Sequence, residues 1–252
     1  MIEIQSTKNT YVKELKKLHR KKGREEQQRY LLEGFHLVEE ALRSEATVVD
    51  ILISPRGAKE WASWIAEQTV PMTYISEEVM EAISEQPTPQ GILAVVSFPK
   101  PKKMTLQGKW LLLDCVQDPG NVGTMIRTAD AAGFTGVFLG EGTADIYNLK
   151  TLRSMQGSHF HIEIQQGDVE QVCQAFQAAA IPVYGSELNE QAVPYNTIKK
   201  TEQVAIIMGN EGQGVSKALL SKTDANLYIP IYGKAESLNV GVAAGILMYH
   251  FS

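Results

Sequence analysis

The 252-residue sequence contains two cysteines, Cys115 and Cys173, without the paired spacing of metal ligands or of a disulfide framework. Both fall in segments that read as buried, which fits a reducing, cytoplasmic setting. Long apolar runs are missing as well. None approaches the roughly 18 residues of a membrane-spanning helix, and polar and charged residues follow Met1 where a signal peptide would place an apolar run. No G-x-G-x-x-G follows any predicted strand. The stretch from Gly209 to Ser216, GNEGQGVS, nearly spells a phosphate-binding P-loop, but Val215 stands where the lysine must be and Lys217 comes two places late. Nucleoside triphosphate or dinucleotide binding is therefore disfavoured. No serine or cysteine occupies a recognisable nucleophile elbow. His159 and His161 share one face of a predicted strand, yet no further ligands cluster with them, and no metal is expected.

What is present is an ordinary globular composition, 44% hydrophobic and 21% charged, in a chain long enough for one large domain or two modest ones. The net charge of −5 is unevenly spread: the first 30 residues carry nine Lys/Arg against four Glu. Lys13, Lys16, Lys17, Arg20, Lys21, Lys22 and Arg24 make a basic arm on an acidic body. Such an arm suits a polyanion, because each neutralised phosphate releases counterion. A solvated helix face reads the same way.

Apolar spacing predicts a helix over Ser6–Lys22, a strand over Tyr30–Leu32, a helix over Gly34–Leu42, a strand over Val48–Ile53 and a helix over Ala58–Ala66. A strand over Met72–Ile75, a helix capped by Ser76 and ending near Ile83, and a strand over Ile92–Phe98 complete a small α/β/α unit, residues 1–98. The basic, proline-containing stretch that starts at Pro99 reads as a linker, 99–107. From 108 to 252 strands and helices alternate. Strands are expected at Trp110–Cys115, Phe134–Leu139, Phe160–Ile164, Ile181–Tyr184, Val204–Met208 and Leu227–Ile231. The intervening helices start at the caps Asp118-Pro119 and Asp168, with a third at Leu149–Met155, and a last helix is rich in Gly, Ala and Val. Such alternation implies an α/β fold with a parallel sheet covered on both faces. Ligands of these sheets bind at the carboxyl ends of strands, which directs attention to the loops after Met208 and Ile231. Gly241 and Gly245 at helical spacing suit close approach of another helix, from a second subunit or from within the chain.

Three motifs stand in order along the second unit: Asn121-Val-Gly-Thr-Met-Ile-Arg127, Met208-Gly-Asn-Glu-Gly-Gln-Gly-Val215, and Ile229-Pro-Ile231 with Ser237-Leu-Asn-Val240. Together they resemble the motifs of the SpoU (TrmH-type) branch of the SPOUT RNA methyltransferases. The stretch Tyr30–Leu42, YLLEGFHLVEEAL, with Gly91–Val96, is similar to the ribosomal-protein-like substrate-binding domain found ahead of the catalytic domain in many members. The resemblance implies a C-terminal parallel sheet with a deep trefoil knot and pairing of two subunits through the knotted domain. It further implies S-adenosylmethionine held by Gly209, Asn210, Gly212, Ile229, Pro230, Ile231 and Leu238, and methyl transfer to a ribose 2′-hydroxyl. Arg127, Asn121, Glu211, Ser237 and Asn239 would serve catalysis. Arg127 is the family's essential residue. A guanidinium, with a reference pKa above 12, is a poor base, so a grip on the phosphate beside the target ribose is the preferred role. Ribosomal RNA of the 23S type is favoured over transfer RNA, with recognition falling to residues 1–98. The alternatives are a transfer RNA 2′-O-methyltransferase and a non-catalytic RNA-binding protein that keeps a degenerate fold.

Overall fold

The apolar runs of the sequence become two separate sheets. In the computed structural model, which describes residues 2–252, the first sheet holds β1 (Ile2–Ile4), β2 (Arg29–Glu33), β3 (Val48–Ile53), β4 (Met72–Ile75) and β5 (Ile92–Ser97). Their order is β1-β4-β3-β5-β2, with β5 antiparallel to β2 and β3 and the other pairs parallel. The helices around it are α1 (Thr10–Lys17), α2 (Lys21–Gln27), α3 (Phe35–Arg43), α4 (Pro55–Glu60), α5 (Ala62–Ala66) and α6 (Glu77–Ile83).

Two helices expected to be continuous are broken. Ser6–Lys22 is replaced by α1, capped by Asn9, and the separate α2. The bend between them depends on Gly23, where a Cβ would lie 2.1 Å from the Lys17 carbonyl oxygen. Arg24 fixes it by donating from its guanidinium to the Leu18 carbonyl at 2.7 Å. The second break is at Trp61, which stacks on Phe35 with ring centroids 3.9 Å apart and divides α4 from α5.

The second sheet is wholly parallel. Its strands are β6 (Lys109–Leu113), β7 (Gly136–Gly140), β8 (Glu163–Gly167), β9 (Val183–Ser186), β10 (Val193–Pro194), β11 (Val204–Met208) and β12 (Ala225–Tyr228), in the order β10-β12-β9-β11-β6-β7-β8. Every residue of β11, at its centre, is buried, as the unbroken apolar run requires. Helices α7 (Pro119–Ala131), α8 (Leu149–Met155), α9 (Val169–Ala178), α10 (Lys217–Leu220) and α11 (Val240–Phe251) connect and follow the strands. Trp110, Phe176 and Val172 are among the residues that fill the core under α9, while α11 lies against α7 and β11. The segment Tyr147–Phe160, α8 included, packs with the first sheet. There Tyr147 stacks on Phe98 at 4.5 Å, and Arg153 reaches the buried Glu33 at 3.8 Å.

The strand expected at Phe160–Ile164 is a 3-10 turn, Ser158–Phe160, followed by β8. His159 and His161 therefore do not share a face. The His159 ring meets Tyr30 (Nε2 to hydroxyl, 3.4 Å), whereas His161 Nδ1 lies 2.9 Å from Asp130. Strand β12 stops at Tyr228, short of Pro230, which has no N–H to give. Cys115 lies in the turn after β6, half-buried with φ +57°, while Cys173 is buried in α9.

Among the described residues Gln28, Cys115, Gln156 and Ala180 adopt a positive φ without being glycine. Ala180, exposed just beyond α9, has φ +58°, a conformation glycine adopts freely at helix ends. Ala180→Gly should stabilise the fold by about 0.5–1 kcal/mol, the relief of left-handed strain less the added chain entropy. Urea denaturation measures it, and a lowered midpoint would count against the reading.

Candidate active site

Strand β11 empties at Met208 into a loop shaped by its glycines. A Cβ on Gly209 would sit 2.0 Å from the Gly214 carbonyl carbon, so the chain can cross itself here only without a side chain. Asn210 and Gly214 exchange backbone hydrogen bonds at 3.0 and 2.9 Å, with Gly214 at φ +70°. Asn210 locks the loop internally by accepting from Gly212 N and Gln213 N, and externally by donating to the Cys115 carbonyl at 2.9 Å. Asp114, a lone acid at the end of β6, accepts from Ser216 N at 2.8 Å. Sequence reasoning missed this clamp, although an acid directly after Leu111–Leu113 is the one signal that marks it.

Glu211 reaches the start of α7. Its carboxylate accepts from Gln117 N, Asp118 N and Asn121 Nδ2, each at 3.0 Å. Asn121 Oδ1 accepts in turn from Asn239 Nδ2 at 3.0 Å. Asn239 Oδ1 caps α11 by accepting from Gly241 N and Val242 N, which fixes its amide orientation and leaves Nδ2 to donate. Three side chains thus run in one donor-to-acceptor order and tie together segments 90 and 118 residues apart. Partial burial pushes the Glu211 carboxyl upward. The bonds from Asn121, Asp118 N and Gln117 N outweigh it and hold the group below the usual carboxylate range.

The stretch after β12 is of another kind. From Pro230 to Leu238 no residue makes a hydrogen bond to any other described residue, and Ile231 to Asn239 are all exposed. Strand order shows where the stretch runs. It leaves β12 and ends at Asn239, which bonds beside the exit of β6, so it passes over the carboxyl ends of β9 and β11. That is three strand spacings, roughly 14 Å, well within the reach of ten residues. Ile231 and Leu238 expose apolar side chains on it, and the Ser237 hydroxyl is uncommitted.

Of the expected catalytic residues, the structure brings Glu211, Asn121 and Asn239 into direct contact. Arg127 is not joined to them. It lies exposed on α7, about 120° around the helix from Asn121, and its guanidinium meets no partner among the described residues. On the basic arm, Lys17, Lys21 and Lys22 form exposed pairs with Glu14, Glu25 and Glu26, and Lys13 and Arg20 point into solvent. Arg24 belongs elsewhere. It is 4% exposed and spent on the turn between α1 and α2, so it offers no face to a phosphate. Among the described residues no three His, Cys, Asp or Glu are grouped to hold a metal ion.

Comparison with known proteins adds to this geometry. The profile of the SpoU rRNA Methylase family matches residues 109–249, and that of the MRM3-like substrate binding domain matches residues 9–94. The chain is 50% identical over 250 residues to the 23S rRNA (guanosine(2553)-2′-O)-methyltransferase RlmP of Bacillus subtilis, covering 99% of each protein. The crystal structure of an AdoMet-bound rRNA methyltransferase from Sinorhizobium meliloti superposes with a TM-score of 0.86 at 32% identity, over 98% of this chain and 96% of that one. A TrmH/SpoU tRNA modifying enzyme of A. aeolicus matches 57% of this chain and 76% of its own, at 27% identity and a TM-score of 0.51. The chain belongs to the SpoU rRNA methylase family, and its parallel sheet carries the deep trefoil knot of that fold.

Proposed function

We propose that this protein transfers a methyl group from S-adenosyl-L-methionine to a ribose 2′-hydroxyl of 23S-type ribosomal RNA, on a guanosine as in its Bacillus relative. The observation that carries the reading is the Glu211–Asn121–Asn239 chain of hydrogen bonds, which gathers all three motif segments at the carboxyl edge of one parallel sheet. The residues present suit this donor. Uncommitted backbone groups between Pro230 and Leu238, the tight Gly209 crossing and the apolar Ile231 and Leu238 favour an uncharged nucleoside. Gly209, Gly212, Ile229, Pro230, Ile231 and Leu238 would hold it, with Asn210 keeping the loop in shape.

When bound, S-adenosyl-L-methionine supplies a methyl on a positively charged sulfur. The chain's own residues do the rest by placement. Arg127, with no partner among the described residues, grips the phosphate next to the target ribose. Ser237 offers a free hydroxyl for hydrogen bonding to the attacking 2′-hydroxyl. Glu211, Asn121 and Asn239 are bonded to one another and to backbone N–H groups, so they position the two loops and the start of α7 and do not themselves carry the proton.

Selection of ribosomal RNA rests on the first unit. The rRNA-modifying relatives share 98–99% of this chain, whereas the tRNA-modifying enzyme shares 57%. Residues 1–98 act as the substrate-binding domain, with Lys13, Lys16, Lys17, Arg20, Lys21 and Lys22 on phosphates. A second copy covers α11, whose exposed side carries Val242 and Tyr249, 53% and 56% accessible. No helix among the described residues is long and apolar enough to cross a membrane, and the RNA substrate places the work in the cytoplasm.

Labelled methyl from S-adenosyl-L-methionine should enter unmodified 23S ribosomal RNA at an alkali-resistant linkage, and transfer RNA should take up none. Arg127→Ala should lower the rate about 100-fold or more, the scale of one lost charge-stabilising group. Near-normal turnover of Arg127→Lys would exclude a need for the two-pronged guanidinium.

Glu211 gives a pH test. A carboxyl held below its unfolded value of about 4.3 stabilises the fold above that pH and loses its contribution as pH falls through the folded value. Glu211→Gln should therefore be less stable than the parent at pH 7 in urea, with the gap closing below about pH 4. A gap that is constant with pH would contradict the assignment. Val242→Asp should sediment as a monomer where the parent sediments as a dimer; a parent that is itself monomeric would remove the pairing.

A further inference from the structure

Strand order places one more loop within the donor site. β9 lies between β12 and β11, so the loop that leaves it, starting at Glu187, emerges between the two segments expected to hold the methyl donor. The stretch from Ile229 to Leu238 passes above it. Glu187 N donates to the Leu227 carbonyl at 3.0 Å, which ties the loop to the end of β12. Its carboxylate turns the other way, to β11: Oε2 lies 3.2 Å from where a Cβ of Gly214 would sit. The residue is half-buried, and its carboxylate accepts no hydrogen bond and meets no cation among the described residues.

A half-buried carboxylate without donors is costly unless something supplies them. The two acids beside the Gly209–Gly214 loop differ here. Glu211 turns to the β6 side and is saturated by two backbone N–H groups and an amide. Glu187 reaches the same loop from the β9 side and has all its acceptor capacity left.

Resting on the function proposed above, we infer that Glu187 is the side chain that binds the ribose hydroxyls of the methyl donor. A vicinal diol presents two O–H donors at the spacing of one carboxylate, the pairing by which an acid grips the ribose in dinucleotide folds. The reacting end of the donor then lies towards β6, where Asn121 and Asn239 meet, and the adenosine end lies between β11 and β12. Glycine at 214 leaves the space in front of the carboxylate open; its left-handed φ excludes most other residues in any case.

The test is a double comparison by titration calorimetry on the full chain. The ligands are S-adenosylhomocysteine and its 2′-deoxy and 3′-deoxy analogues. The parent should bind at least one deoxy analogue about tenfold more weakly, the cost of a lost hydrogen bond to a charged group. Glu187→Ala should bind S-adenosylhomocysteine about tenfold more weakly and show no preference between ribose and deoxyribose. Glu187→Gln, which keeps the shape and one acceptor, should fall between, and it covers the case in which the alanine variant folds poorly. Equal binding of all three ligands by the parent would overturn the inference, as would a ribose preference that persists without the carboxylate. A parent that binds S-adenosylhomocysteine not at all would instead overturn the methyltransferase reading.

Discussion

The hydrogen bond from Asn239 to Asn121 is the constraint on which the rest of the site depends. One end of it caps α11, and the other end is bonded to the carboxylate that also receives the first N–H groups of the α7 region. Two helix starts and the loop after β11 are therefore fixed by three side chains of small reach. A single misplacement would release all three segments, because each amide both donates and accepts in this chain of bonds. The Ile229–Leu238 stretch gains its definition from this anchor, since between Pro230 and Leu238 it makes no hydrogen bond to any other described residue.

The arrangement separates rigidity from recognition. Side chains that hold the loops are bonded within the chain: Glu211, Asn121, Asn239 and Asn210. Groups left with capacity, namely the Arg127 guanidinium, the Ser237 hydroxyl and the backbone of the Ile229–Leu238 stretch, are those a ligand would meet. The glycine at 209 belongs to the first set, since its role is to let the chain cross itself.

Much of the fold was legible in the sequence. Val48–Ile53, Met72–Ile75 and Val204–Met208 are strands with the bounds that their apolar runs suggest, and Leu149–Met155 is a helix as its spacing predicts. The Asp118-Pro119 start of α7 follows from capping chemistry alone, with Asp118 accepting from Asn121 N. What failed depended on contacts distant in the chain or on turn geometry. The break after Lys17 needs Gly23 to fold back on it, and the misplaced strand at Phe160 hid a turn entered through Gly157 at φ +93°. The two-residue β10 has too little periodicity to be seen. Arg24 counted as one charge among seven until burial assigned it to a turn. For the site, spacing marked the loops after β11 and β12, but the grouping of three motifs came from family resemblance. No local pattern could show that Glu211 and Asn121, 90 residues apart, bond to each other.

One chain of hydrogen bonds joins these three segments, and we propose that they form a single donor site. Amide hydrogen exchange with and without S-adenosyl-L-methionine, on the parent and on Asn121→Ala, tests it most directly. The donor should protect residues 209–216 and 229–239 together in the parent, and in the variant both should lose protection together. Protection confined to one of the two segments, or coupling that survives in Asn121→Ala, would contradict it.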